Sequence, residues 1–107
     1  MPTIQYNKLV RARIPEIITA SGRRCVCSTL SDEEYLAKLD EKLNEELAEY
    51  QESKSMEELA DLLEVIRAVA VARGSSIEEV EAIRQAKAAK RGGFEKRILL
   101  TEVTTDD

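Results

Sequence analysis

Glu46 and Glu49 stand three residues apart in the stretch EELAEYQESKSMEELAD at residues 45–61, and Glu58 and Asp61 repeat that spacing after a short polar break. On a helix, residues i and i+3 share a face, so each pair aims two carboxylates in one direction. Two such helices folded back on each other would bring four acids together. Like charges gathered at a partly buried seam repel and push their pKa values up, so the arrangement calls for something to neutralise it. Carboxylate oxygens with no histidine or thiolate among them suit a hard cation, Mg²⁺ with Mn²⁺ as its close substitute. Such an ion keeps waters and completes its shell with substrate phosphates.

Each pair also has a structural reading. Glu58 sits three residues after Ser55 and can serve as the third member of a capping box, and acids early in a helix favour its dipole. Glu46 is harder to explain that way. It falls between Leu43 and Tyr50 on an apolar seam where a helix built only for packing would carry leucine or alanine.

The elements that must position these acids follow from the pattern. Lys8, Arg11 and Arg13 precede Pro15, which can open a short helix over residues 16–20 that Ser21 and Gly22 end; the plain reading of the three cations is a solvated basic face. Residues 23–30 alternate well enough for a short strand with Cys25 and Cys27 on one face. Ser31 and Glu34 form a capping box for a long helix over residues 32–52, whose seam is Leu36, Leu39, Leu43, Leu47 and Tyr50. Ser55 and Glu58 offer a second box for a helix over residues 56–73. That helix is apolar nearly all round and therefore reads as buried, with Glu57, Glu64 and Arg67 on a narrow wet side.

The short connection makes these two helices antiparallel neighbours. Gly74 closes the second. Ser75 and Ser76 cap a third over residues 77–90, whose last turns carry Arg84, Lys87, Lys90 and Arg91, favourable against the dipole. After Gly92 and Gly93, the residues Phe94, Ile98, Leu99, Leu100 and Val103 suggest an extended segment packed on the core, and residues 104–107 a loose tail. The expected fold is all-α: an antiparallel helical hairpin plus a third helix, with short extended terminal segments, in one domain spanning residues 1–107. Oligomerisation would complete the bundle.

Composition narrows the function classes. A formal net charge of −5 argues against polymeric nucleic acid as a partner, because binding a phosphate backbone needs a basic surface. The acids concentrate over residues 32–64 and the cations at residues 8–13 and 84–97, which suits a small anionic ligand bridged by metal. With no histidine, Ser-His-Asp and Cys-His catalysis are excluded, as is the Glu-x-x-His motif of di-iron bundles. Cys25 and Cys27, two apart, bridge badly and do not complete a zinc site, so they read as reduced thiols. No run of 18 apolar residues and no charged-then-apolar N-terminus is present, so a cytoplasmic protein without membrane contact is expected.

With these pieces placed, the chain resembles the all-α nucleoside triphosphate pyrophosphohydrolases, the MazG-like and phosphoribosyl-ATP pyrophosphohydrolase-like proteins. The resemblance rests on Glu-x-x-Glu then Glu-x-x-Asp at Glu46, Glu49, Glu58 and Asp61 with Glu45 in front. It extends to Tyr6-Asn-Lys-Leu-Val-Arg11 with Ile14-Pro15, and to Lys-x-x-x-Arg-Gly-Gly-Phe from Lys87 to Phe94. It implies Mg²⁺-dependent cleavage of a nucleotide between its α- and β-phosphates, giving a monophosphate and pyrophosphate. Glu46, Glu49, Glu58 and Asp61 would hold the metal with Glu45 in support, and Glu46 and Glu49 would serve the chemistry. Lys8, Arg11, Lys87, Lys90 and Arg91 would face the phosphates, and a homodimer or homotetramer would complete the site. Where relatives carry an acid between arginine and the Lys/Arg-Ile-Pro, this chain has Ala12.

Two other readings compete. One is a non-catalytic helical module that binds a nucleotide or partner on the same scaffold, which Ala12 favours. The other is a plain oligomerising bundle, for which replacing Glu46 by leucine would stabilise the fold and lose nothing.

Overall fold

The computed structural model describes residues 2–105. Asp106 and Asp107, the end of the tail read as loose, lie outside them. The described residues form four helices and no strand: α1 (Ile14–Ala20), α2 (Asp32–Ser53), α3 (Met56–Ala72) and α4 (Ile77–Arg91). The fold is all-α, and none of the helices is long and apolar enough to cross a membrane.

Local chemistry sets the helix ends. Pro15 lies in the first turn of α1, where its missing N–H costs no helical bond. The Ser31 hydroxyl accepts from the Glu34 N–H at 3.3 Å while the Glu34 carboxylate accepts from the Ser31 N–H at 3.2 Å, so the first capping box is complete. At α3 only half of the second box forms. Ser55 Oγ accepts from the Glu58 N–H at 3.3 Å, but the Ser55 N–H donates to Ser53 Oγ, and the Glu58 carboxylate is left for other use. The turn between α2 and α3 takes Lys54 into the left-handed region (φ 58°), where its N–H still reaches the Tyr50 carbonyl at 2.7 Å. Gly74, at φ +85°, supplies the left-handed residue between α3 and α4 at no steric cost.

α2 and α3 pack as an antiparallel hairpin, and α4 folds back on α3 alone. The seam buries Leu39 from α2 and Val65 and Ala70 from α3, while Leu36, Leu43 and Tyr50 are half-buried and Leu47 lies exposed at its edge. Arg73 ties the far end to α2 through Asp40 at 3.4 Å. α3 is wetter than its composition suggests, with Met56, Leu63 and Val71 exposed.

Two expectations fail. Residues 23–30 are not a strand: among the described residues no strand pairs with them, and a strand without a partner leaves its backbone groups to water. Nor does the C-terminal segment pack on the core, since Phe94 is 98% exposed and Ile98, Leu99, Leu100 and Val103 are open as well. The chain therefore reaches 69 × 31 × 26 Å with a radius of gyration of 19.2 Å, against roughly 13 Å for a compact domain of this length. Leu39→Ala is expected to destabilise the chain by roughly 2–5 kcal/mol in chemical denaturation. Val26→Ala, at a fully exposed side chain, should stay within about 0.5 kcal/mol of wild type.

Candidate functional site

The hairpin turn brings the two acidic pairs to one place. One oxygen each from Glu45, Glu46 and Glu49 lie within 4.8 Å of one another, as do one each from Glu46, Glu58 and Asp61. Glu46 belongs to both groups and is their common corner. An octahedral ion with oxygens at about 2.1 Å sets neighbouring ligands about 3.0 Å apart and opposite ones about 4.2 Å apart, so the carboxylates would draw together to share one.

Glu46 is 6% exposed, and among the described residues its Oε2 has no hydrogen-bond partner; Glu58 Oε2 is likewise buried and unpartnered among them. Unpartnered carboxylate oxygens at a protein seam are costly, because desolvation penalises the charge and nothing returns the lost hydration. Burial raises the Glu46 carboxyl above the ordinary glutamate value and the neighbouring Glu49 raises it further, while Lys42 pulls the other way.

Cations close the open side. Lys8 Nζ lies 3.0 Å from Glu45 Oε1, and Arg11 Nη2 lies 2.7 Å from Asp61 Oδ1. The N-terminal segment thus crosses the hairpin, with Lys8 on α2 and Arg11 on α3. Lys42 Nζ sits 3.3 Å from Glu45 Oε1 and 3.4 Å from Glu46 Oε1. Burial alone would push Glu45 up, but its bonds to Lys8 and Lys42 outweigh this and hold it below its usual range; Lys8, bonded to Glu45, is raised. With all ionised, five carboxylates (Glu45, Glu46, Glu49, Glu58 and Asp61) face three cations (Lys8, Arg11 and Lys42), and the formal excess is two negative charges.

Lys42 was missed in the sequence, although its spacing of three and four residues from Glu45 and Glu46 on a helix was a usable signal. The remaining cations expected at the site, Lys87, Lys90 and Arg91, are exposed on α4, which packs on α3 alone. Among the described residues they make no ion pair with these acids. Beside Glu45, a cavity of about 310 Å³ opens between Tyr6, Asn7 and Lys8 of the N-terminal segment and Lys38, Lys42 and Glu45 of α2.

No protein-family model and no solved structure matches the chain. An uncharacterised protein of Mycolicibacterium smegmatis is 67% identical over 42 residues, a stretch that is 39% of this chain and 43% of that protein. The chain thus spans less than half the length of that relative.

The buried Glu46 carboxyl yields a pH test. A carboxyl whose folded pKa lies above its unfolded value loses stability as pH rises through the folded pKa. In metal-free buffer at about pH 7, Glu46→Gln should therefore melt at a higher temperature than wild type, and the difference should shrink towards about pH 4. Glu45, whose shift runs oppositely, is common to both proteins, so thermal melts compared at each pH isolate Glu46.

Proposed function

We propose that the chain is a Mg²⁺-dependent nucleotide pyrophosphohydrolase, cleaving a nucleoside triphosphate or phosphoribosyl-ATP-like substrate between its α- and β-phosphates to a monophosphate and pyrophosphate. The observation that carries this reading is Glu46: a buried carboxylate with an unpartnered oxygen, at the corner shared by two groups of three acids. A helix built for packing has no use for it. The set is all oxygen, which suits Mg²⁺ or Mn²⁺.

Glu46, Glu49, Glu58 and Asp61 would hold the metal, with Glu45 in support. When bound, the metal would neutralise phosphate charge and lower the pKa of a coordinated water. The residues of the chain then have three tasks. Glu49 accepts the proton of the attacking water. Lys8 and Arg11, already at the rim of the cluster, orient the phosphates and offset their charge. The exposed cations Lys87, Lys90 and Arg91 serve the pyrophosphate side once a homodimer or homotetramer forms. Such an assembly also covers apolar surface that stands open on α3 and the C-terminal segment. The bond between the α- and β-phosphates breaks, water supplies the new oxygen, and pyrophosphate carries the electron pair away.

Purified protein with Mg²⁺ and a panel of nucleoside triphosphates and phosphoribosyl-ATP should release pyrophosphate from at least one substrate, and Glu49→Gln should lower kcat on the order of a hundredfold or more. Silence across the panel, with wild type and variant alike, assigns the chain to the non-catalytic module.

A further inference from the structure

Lys8 and Lys42 are held by the same atom. Both amines converge on Glu45 Oε1, at 3.0 and 3.3 Å, and both line the 310 Å³ cavity beside it. Lys38, also at the cavity, donates to the Asn7 carbonyl at 3.2 Å and ties the N-terminal segment to α2. The cavity is thus lined by three amines and two carboxylates: Lys38 is paired with Glu41, and the charges of Lys8 and Lys42 are spent on Glu45, a member of the acidic cluster. A carboxylate oxygen drawn onto a divalent ion loses much of its attraction for an ammonium, because the cation repels the amine that approaches the same atom.

We propose that Lys8 and Lys42 are exchangeable counter-ions, and that the cavity they line is a subsite for a phosphate group, made competent as a divalent cation takes over Glu45 and its neighbours. The inference rests on the metal-binding reading above and adds to it the anion's location, its contacts and an order of binding. Without the ion, the lysines neutralise the acids and leave the cavity little affinity for an anion. With the ion in place, the same two amines turn to the cavity, where each offers three donors to phosphate oxygens. Metal and phosphate therefore bind with positive coupling, and linkage requires the coupling to be equal from either side. The lysines also compete with the metal when no phosphate is present. Removing them should tighten metal binding alone while abolishing the coupling, a combination that loss of a merely structural contact does not produce.

The test uses the full chain and two simple probes. Mn²⁺ binding is followed by the loss of its free-ion electron paramagnetic resonance signal, and inorganic phosphate binding by calorimetry with and without saturating Mg²⁺. Wild type is expected to bind phosphate on the order of tenfold more tightly with Mg²⁺ than without. In Lys8→Met/Lys42→Met that ratio should fall to near one, while Mn²⁺ alone binds several-fold more tightly than to wild type. The single variant Lys42→Met should show an intermediate ratio and covers the case in which the double variant does not fold. Arg84→Met, whose guanidinium is engaged by Glu81 on α4, should keep wild-type values. Intact Mn²⁺ binding with no coupling in wild type overturns the inference and leaves the metal site standing. Coupling that survives in both lysine variants does the same. Absence of Mn²⁺ binding in wild type and variants alike removes the metal-binding reading and the inference with it.

Discussion

The repulsion among carboxylates at the α2–α3 turn is the constraint around which the rest of the chain is arranged. Glu46 is buried in a seam that otherwise packs leucine, valine and alanine, and Glu49, Glu58 and Asp61 are held close by the hairpin. A hairpin of this size has little apolar burial to set against that cost: only Leu39, Val65 and Ala70 are buried among its apolar residues. Lys42 of α2 supplies part of the attraction, and the rest comes from outside the two helices. Lys8 and Arg11 supply it from a segment with no regular structure of its own, one reaching α2 and the other α3.

This gives the N-terminal segment a structural role that its composition conceals. Three cations before a proline look like a solvated face, yet two of them bridge 37 and 50 residues of chain to opposite helices. The ion pairs are partly exposed, and individually such pairs contribute little. Their effect is collective, because Lys8, Arg11 and Lys42 all meet one group of acids rather than isolated partners. Phosphate chemistry would use the same charges differently. The compensation is incomplete by two formal charges, and among the described residues Glu46 Oε2 and Glu58 Oε2 are buried without a partner.

The helical architecture was legible because its signals are local. Capping serines, glycines after the last turns and seams at spacings of three and four act over one or two helical turns, and the boundaries of α2, α3 and α4 fall within a residue or so of where those signals lie. The strand at residues 23–30 and the packed C-terminal segment were not legible in the same way. Alternation and apolar content describe what a segment would do if a partner stood beside it, and Val26, Phe94 and Leu99 find none among the described residues.

The site divides along the same line. Helical periodicity by itself determined that Glu46 and Glu49 share a face, that Glu58 and Asp61 do too, and that Glu46 interrupts an apolar seam; these depend only on the 3.6-residue repeat. Only the tertiary structure decided that Glu46 is the acid common to both groups and that half of the second capping box is left undone, freeing Glu58. The same holds for the anchors of Lys8 and Arg11 and for the separation of the α4 cations from this cluster. Those outcomes depend on how two helices rotate about their axes and where an irregular segment crosses them. Such relations are set by packing and charge between residues far apart in the chain, and no repeat along the sequence encodes them.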